Sequence, residues 1–250
     1  MATATFRFHD ELERFVARTH RGRAFDCACA RAATIKNATE ALGVPHTEVG
    51  RLLVNGEAAT LPRIVREGDS IEVFPVEPGA AATEEMPLFL ADAHLGGLAR
   101  MLRMLGFDSL YDNAIRDREI LEIARRERRI VLTRDRELLK CREVMRGCFV
   151  HALKAEVQIS EVAARYALVR RMRPFTLCLH CNLRLQDIEA SAAQQRVPNR
   201  ILARHVRFMR CPGCERIYWK GSHWERMRML LSDALDVTIG AGAKTGSLSL

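Results

Sequence analysis

The 250-residue sequence has no apolar run near the ~18 to 20 residues of a membrane-spanning helix, so we predict no membrane partner. Its first residues, Met1 to Thr5, lack the charged-then-apolar pattern of a secretory signal. The glycine-rich stretch from Gly240 lacks the G-x-x-x-x-G-K-[ST] spacing of a phosphate-binding loop. We therefore expect a cytoplasmic protein with reduced cysteines that is not a P-loop nucleotide hydrolase.

Four of the eight cysteines form two Cys-x-x-Cys clips, Cys178-Leu179-His180-Cys181 and Cys211-Pro212-Gly213-Cys214. Each clip places two thiolates one tight turn apart, and four sulfurs at about 2.3 Å complete a tetrahedral Zn²⁺ site. The Pro-Gly pair favours a reversing turn. We predict a structural zinc ribbon. The alternatives are two disulfides or four unrelated buried thiols, and His180 is a less simple replacement for one sulfur ligand. The other cysteines show no ligand spacing.

Positive charge is concentrated near the C-terminal end. Residues 1–80 hold 10 Lys/Arg against 11 Asp/Glu, a net charge of −1, and residues 81–170 hold 16 against 14, a net charge of +2. Residues 171–250 hold 13 against 6, so +7 of the total +8 lies in the segment that carries the clips. This placement favours a surface that meets the phosphates of a nucleic acid. A basic, Arg- and Ala-rich chain is also consistent with nucleotide bias in the genome.

The first segment has the pattern of a ubiquitin-like β-grasp domain. Alternating stretches predict strands, and a helix over Thr34 to Leu42 ends at Gly43. A strand from Leu52 runs into the Asn55-Gly56 turn. The segment closes without the Gly-Gly end of a sulfur or protein carrier, so we interpret it as a recognition or packing module with a protein partner.

A Pro-, Gly- and Ala-containing linker, Glu77 to Glu85, leads into an alternation of strands and helices that predicts a parallel sheet. The predicted strands are Leu88–Ala91, Phe107–Tyr111, Arg129–Thr133 and Cys148–Leu153. A last helix is predicted to open at Ser160. In the third segment, Gln186–Arg200 is predicted as helix and loop, Trp224–Leu235 as helix, and the end as a disordered tail.

Three aspartates stand at the carboxyl ends of the predicted parallel strands, where ligands of such sheets bind. Asp92 follows the first strand, Asp117 opens the helix after the second, and Asp135 follows the third. Converging carboxylates repel one another, and a bound Mg²⁺ or Mn²⁺ relieves that cost. Such an ion can support phosphodiester cleavage. Each aspartate is also a good helix N-cap, which is the alternative for each one taken alone.

Several further residues are candidates for supporting roles. Acids near the three aspartates can supply a fourth carboxylate: Asp112, Glu119 and Glu137. Basic residues can hold phosphates or form ordinary solvated faces: Arg100, Arg103, Arg134 and Arg136. In the zinc segment Lys220 and His223 are candidates for RNA contact, and Trp219 and Trp224 for base stacking or for the small core of the ribbon.

The ordered motifs resemble the Mut-seven C-terminal domain family. They are Phe89-Leu90-Ala91-Asp92-Ala93-His94-Leu95-Gly96-Gly97-Leu98, Asp117-Arg118-Glu119-Ile120-Leu121, Ile130-Val131-Leu132-Thr133-Arg134-Asp135 and Arg210-Cys211-Pro212-Gly213-Cys214 with Tyr218-Trp219-Lys220-Gly221. The resemblance implies a PIN-like RNase domain with an acidic metal site, here carried by Asp92, Asp117 and Asp135. It also implies an N-terminal ubiquitin-like domain and a zinc-ribbon end.

We therefore predict an α/β protein with a β-grasp domain over 1–80, a PIN-like parallel-sheet domain over 86–172, a zinc ribbon over 173–236 and a tail over 237–250. The predicted function is metal-dependent hydrolysis of RNA, with the basic ribbon positioning the substrate. Two alternatives stay open. One is a non-catalytic RNA-binding or adaptor protein with an inactive PIN-like fold. The other is a protein-interaction module in which the acids serve as helix caps.

Overall fold

The structure, a computed structural model, describes residues 1–194, 196–205, 207–237 and 239. The chain divides into two compact units. The first contains Met1–Gly96, Leu110–His151 and Ala164–Ala167, and the second contains the rest. The first unit thus holds the whole N-terminal segment together with most of the parallel-sheet strands. The second unit holds the cysteine clips.

The N-terminal segment is a five-stranded mixed sheet crossed by one helix. Its elements are β1 (Ala2–Phe8), β2 (Phe25–Cys29), α1 (Ile35–Ala41), β3 (Val49–Val54), β4 (Glu57–Ala58) and β5 (Ser70–Pro75). The strand order is β2-β1-β5-β3-β4; β1 and β5 are parallel, and the other pairs are antiparallel. This is the predicted β-grasp arrangement.

Local sequence explains the turns of this domain. The Thr34 hydroxyl accepts the amide of Asn37 and so caps the N-terminus of α1. Asn55 and Gly56 take φ values of 54° and 83°, as a two-residue hairpin requires. The alternating side chains of β1 and β5, including Phe6, Phe8, Ile71 and Val73, are fully buried and form the core beneath α1.

A four-stranded sheet follows, with elements β6 (Phe89–Ala91), α2 (Gly96–Met104), β7 (Ser109–Tyr111), α3 (Asp117–Glu127), β8 (Ile130–Thr133), α4 (Arg136–Lys140), β9 (Gly147–Phe149) and α5 (Ala155–Tyr166). The strand order is β7-β6-β8-β9, and the β6–β8 and β8–β9 pairs are parallel, as predicted. Helix α5 begins at Ala155, so the prediction that it opens at Ser160 was wrong. Ala155 and Glu156 are good helix formers that extend the helix toward its N-terminus.

Within the first unit, a buried ion pair joins the N-terminal segment to strand β9. The Glu48 side chain accepts the amide of Phe149 at 2.9 Å and lies 2.7 Å from Arg165 Nη1. Arg165 also donates to the carbonyls of Thr47 and Gly147. The β-grasp domain is therefore packed against the edge of the parallel sheet through polar as well as apolar contacts.

The C-terminal segment contains a small antiparallel sheet. Its elements are β10 (Gln186–Ile188), α6 (Ala190–Ala193), α7 (Asn199–Leu202), β11 (Phe208–Arg210), β12 (Ile217–Tyr218) and α8 (Ser222–Leu235), and the strand order is β10-β11-β12. The prediction of helix and loop over Gln186–Arg200 missed β10. Three residues are too few for a clear alternation, and β10 exists because it pairs with β11.

The predicted tail begins inside ordered structure. Val237 donates its amide to Ser232, and Ile239 is buried. The remaining tail residues, 238 and 240–250, lie outside the described residues. Within the described part of the chain, none of the helices has the length and apolar character needed to cross a membrane.

Candidate metal centres and nucleic-acid surface

Asp92 lies one residue beyond β6, beside the end of β8. Its amide donates to the Leu132 carbonyl at 3.0 Å and so continues the parallel pairing. The carboxylate accepts the Ala93 amide at 2.6 Å. The Tyr111 hydroxyl donates to the Ala93 carbonyl at 3.0 Å, and its ring lies 2.7 Å from the position that a Cβ on Gly96 would occupy. A glycine is therefore required at position 96 for Tyr111 to hold the turn after Asp92.

Thr133 joins Asp92 to Asp135. Its hydroxyl donates to Asp92 Oδ2 at 2.6 Å and accepts the Asp135 amide at 2.9 Å. The Thr133 side chain is fully buried, so its hydroxyl has a fixed orientation between the two acids. The structure thus brings Asp92 and Asp135 to neighbouring strand ends, as the sequence predicted.

Asp117 lies at the first position of α3, after the N-cap residue Arg116. It is solvent-exposed, and no hydrogen bond or ion pair among the described residues connects it to Asp92. Burial raises the pKa of the Cys141 thiol, and the charges of Glu143, Asp117 and Asp135 raise it further. Asp117 and Asp135 therefore both contribute to the raised pKa of this thiol.

Two of the three aspartates also cap helices. Asp135 Oδ1 accepts the Glu137 amide at 2.8 Å at the start of α4, and Asp92 precedes a short 3₁₀ turn. Asp117 is not an N-cap, because Arg116 occupies that position. Capping thus accounts for Asp92 and Asp135 but not for Asp117.

The donor chemistry of this acidic edge fits a hard divalent cation, which prefers carboxylate oxygens. Among the described residues, none of the three carboxylates pairs with Lys or Arg, so their charge is not neutralised by the protein. The three do not form a closed ligand set. In the described part of the chain, the one group of three or more His, Cys, Asp or Glu ligand atoms within 4.8 Å of one another is the four-cysteine cluster.

The candidate fourth acids have other partners. Glu119 accepts the Arg116 amide at 3.0 Å and completes a capping box at the start of α3. Glu137 forms ion pairs with Lys140 and Arg136; the Lys140 hydrogen bond is the main reason that its pKa is lowered. Asp112 accepts the Ala114 amide within its own loop. Because these carboxylates already have partners, the structure favours them as groups that support the site rather than as a fourth metal ligand.

Basic side chains lie beside Asp135. Arg134 is exposed, and Arg136 donates to the Phe15 carbonyl at 3.4 Å. Arg136 lines a groove of 390 Å³ together with four other cationic residues, Arg14, Arg18, Arg21 and Lys140. No acidic residue is among the described residues that line this groove. Its charge suits the backbone of a nucleic acid.

The four clip cysteines meet in the second unit, as the sequence predicted. The Sγ atoms of Cys178, Cys181, Cys211 and Cys214 all lie within 4.8 Å of one another. Cys178 Sγ and Cys214 Sγ are 3.6 Å apart, close to the about 3.8 Å expected between sulfurs bound at 2.3 Å to one tetrahedral Zn²⁺. All eight cysteines are free thiols, so the disulfide alternative is wrong in this structure. The cluster can bind zinc.

The two clips fold in the same way. In each, the carbonyl of the first cysteine accepts the amide four residues later, from Asn182 and Glu215 respectively. Both residues have left-handed backbones, with φ values of 63° and 57°. A Cβ on Gly213 would lie 2.6 Å from the Leu183 side chain, so a larger residue at this position, where the first clip has His180, would displace Leu183. His180 is not among the gathered ligand atoms, which favours the four-sulfur set.

Neighbouring groups shift the pKa values of the clip cysteines in a way that favours binding of a cation. Burial opposes ionisation of Cys178, but hydrogen bonds from Tyr218 and from the Cys181 and His180 amides outweigh it and lower the pKa of that thiol to about 7. A hydrogen bond with Cys214 raises the pKa of Cys181 to about 12. Four adjacent thiolates would repel one another, so the four cysteines do not all ionise unless a cation binds between them.

Arg103, on α2, stabilises the first clip through hydrogen bonds. Its guanidinium is buried and donates to the Leu179 and His180 carbonyls at 3.0 and 2.9 Å. Burial lowers the pKa of Arg103, and the negative charge of Cys178 opposes this effect. The structure does not support its predicted role as a phosphate ligand, because its Nε and Nη1 donors are used inside the protein.

The other predicted RNA contacts of the second unit remain accessible. Arg100 and His223 are exposed and line the same cavity. Lys220 is exposed, with Nζ 5.9 Å from the ring centroids of Phe175 and Trp224. Trp219 is half-buried against the ribbon core around Phe208.

Sequence reasoning missed three positioning residues: Thr133, Arg103 and Tyr218. Thr133 stood in the Thr133-Arg134-Asp135 motif, where its position two residues before Asp135 was the available signal. Arg103 and Tyr218 carried none, because the first-clip residues that they contact are 40 or more residues away in sequence.

Comparison with known families gives two matches. The family model described as the Mut7-C RNAse domain matches residues 87–231, and the one described as Mut7-C ubiquitin matches residues 1–80. Two solved structures of small archaeal modifier protein 1 from Haloferax volcanii are similar to the chain at 22% identity and a TM-score of 0.25. Each covers 30% of this chain, and 98% and 94% of the modifier chains is covered. None of the curated proteins compared with the chain matches it.

Proposed function

The chain belongs to the Mut7-C RNAse domain family, and on that premise we propose that it is a metal-dependent ribonuclease that hydrolyses RNA phosphodiester bonds. The observation that carries the proposal is the link between Asp92 and Asp135 through Thr133. Two acids at the ends of adjacent parallel strands stand where ligands of such sheets bind.

In this proposal Asp92, Asp117 and Asp135 hold Mg²⁺ or Mn²⁺. The ion, when bound, supplies Lewis acidity at a phosphodiester and offsets the repulsion between the carboxylates. Asp92 and Asp135 carry the site because Thr133 and the Ala93 and Glu137 amides fix their carboxylates. Asp117 is exposed at the start of α3, and in this proposal it reaches the ion from that side.

The protein's own groups orient the RNA. Arg134 and Arg136 flank Asp135, and the basic groove lined by Arg136 supports backbone binding next to the acidic edge. In the second unit the zinc ribbon positions RNA with Arg100, Lys220 and His223. The ribbon segment carries most of the positive charge of the chain, which supports this role.

A second candidate function is non-catalytic RNA binding. The observation that favours it is that the three aspartates do not form a closed ligand set, while two of them cap helices. The same basic residues would then hold RNA without cleaving it. The β-grasp domain is proposed to dock a protein partner in either case. None of the eight cysteines forms a disulfide, which fits the reducing cytoplasm where we place the protein.

The test is cleavage of labelled single-stranded RNA by the full-length protein with Mn²⁺. We expect cleavage by the wild-type protein and its loss in Asp92→Asn. Glu122→Gln, which removes an exposed carboxylate on α3, is the matched control and should cleave normally. RNA binding without Mn²⁺-dependent cleavage would instead support the adaptor function.

A further inference from the structure

The second unit contains a cavity of 520 Å³ next to the cysteine cluster. Its volume is within the range of pockets that enclose small ligands. Tyr218 lines the cavity and also contacts Cys178, with its hydroxyl 3.1 Å from Sγ. The wall of the cavity that Tyr218 forms therefore lies against the cysteine cluster.

Aromatic side chains form much of the lining. Both tryptophans of the chain, Trp219 and Trp224, line the cavity together with Tyr218 and Phe175. Trp224 is only 8% exposed, and its Nε1 is enclosed without an acceptor in the described part of the chain. A buried indole N–H normally has a partner, so this unpaired donor is an unusual feature of the lining.

The cations around the cavity differ from others in the same unit. Arg100, Arg204 and Arg216 line it, and none of them pairs with an acid among the described residues. Elsewhere in the unit, arginines do pair with acids, as in Arg196–Glu215, Arg207–Asp187 and Arg228–Glu225. No acidic side chain is found among the described residues of the lining. With three arginines and no acid among the described lining residues, the cavity is positively charged, which suits an anionic ligand.

We propose that this cavity binds one nucleotide of a single-stranded RNA, with the base against the aromatic wall and the phosphate held by Arg204 and Arg216. Unstacked bases stack on Trp and Tyr, and the arginine fork matches phosphate oxygens. The choice of RNA rests on the proposed ribonuclease function. The cavity gives that function a subsite that anchors the substrate in the ribbon.

The experiment is a titration of the full-length, zinc-loaded protein with AMP, without Mn²⁺ and in the Asp92→Asn background. The chain has two tryptophans, so the two indole N–H signals in an NMR spectrum both report on this cavity. We expect saturable shifts of these signals and quenching of Trp fluorescence. Arg204→Glu should weaken AMP binding at least about tenfold, as expected for loss of a charge-assisted phosphate contact. Arg200→Glu, an exposed position on α7 outside the lining, should change it less than about twofold.

Other outcomes would overturn the assignment. They are the absence of saturable shifts with AMP, an equal effect of Arg200→Glu, and binding of adenosine or inorganic phosphate alone as tight as that of AMP. Because cleavage is disabled in this background, AMP binding is independent of whether the protein is a ribonuclease. In a wild-type background that cleaves RNA, Arg204→Glu should raise KM and leave kcat unchanged.

Discussion

The Thr133 hydroxyl donates to Asp92 Oδ2 at 2.6 Å and accepts the Asp135 amide at 2.9 Å. One buried side chain thus fixes two acids that are 43 residues apart in sequence. Removing a group that orients metal ligands typically lowers metal affinity or activity even when the ligands themselves stay in place.

Thr133→Val tests this positioning role. The isosteric side chain should keep β8 packed, but Mn²⁺-dependent RNA cleavage should fall about 10- to 100-fold because Asp92 loses its donor. The measurement is the cleavage rate as a function of Mn²⁺ concentration, with Thr133→Ser as the control that keeps the hydroxyl. Equal loss in both variants would show that the methyl group, rather than the hydroxyl, is needed.

The zinc content of the protein should depend on the four clip cysteines alone. Cys211→Ser is expected to lower bound zinc well below one equivalent and to unfold the ribbon, because the metal contributes to its folding. Metal analysis and near-UV circular dichroism measure this. Cys141→Ser, at a half-buried cysteine outside the cluster, should keep one equivalent of zinc.

Tyr218→Phe should weaken zinc binding about 10- to 100-fold, since the hydroxyl lies 3.1 Å from Cys178 Sγ and supports its thiolate. Competition with a chromogenic chelator measures the affinity. Tyr166→Phe is the matched control because its hydroxyl contacts the Gly147 carbonyl in the first unit. Equal chelator resistance of Tyr218→Phe and wild type would show that the contact does not stabilise the cluster.

Glu48→Gln should destabilise the first unit by about 3–5 kcal/mol, because it leaves the Arg165 guanidinium buried without its counter-charge. Urea unfolding of the full chain, followed by far-UV circular dichroism, measures the change. The exposed pair Arg118–Glu122 provides the control, and Glu122→Gln should cost no more than about 0.5 kcal/mol. Equal midpoints for both variants would contradict a structural role for the pair.

The β-grasp domain should lose stability in acid through Asp69. The Arg63 guanidinium, which contacts both carboxylate oxygens at 2.6 and 3.0 Å, is the main reason that the pKa of Asp69 lies below its ordinary value. A lowered folded-state pKa contributes stability above the unfolded pKa, and this contribution disappears as the pH falls through the folded pKa. Unfolding from about pH 6 to pH 2 should therefore show a loss below about pH 4 that Asp69→Asn reduces.

Patterns local in sequence predicted most of the fold. The hairpin at Asn55-Gly56, helix α1 with its Thr34 cap and the strands that precede Asp92 and Asp135 all follow from a few neighbouring residues. The cysteine spacing predicted the cluster for the same reason, since each clip is a single turn. Asp92 and Asp135 could be placed together because parallel strands end at one edge.

The parts that could not be predicted depend on distant partners. Strand β10 is three residues long and forms by pairing with β11, and Arg103 is buried because it meets the carbonyls of the first clip. The sequence places Asp117 at a helix start, but it does not give the distance between Asp117 and Asp92. The loop before α3 sets that distance. The arginines that line the ribbon cavity, Arg100, Arg204 and Arg216, lie on separate elements, and no sequence spacing connects them.

The central claim is that Asp92 and Asp135 share a divalent cation. Its most direct test is a crystal structure of the protein soaked in Mn²⁺, with data collected to locate manganese by anomalous scattering. We predict a peak about 2.0–2.3 Å from a carboxylate oxygen of each residue, which is lost in Asp92→Asn. A saturated crystal with no peak at these two carboxylates, or with a peak that Asp92→Asn leaves unchanged, would contradict the account.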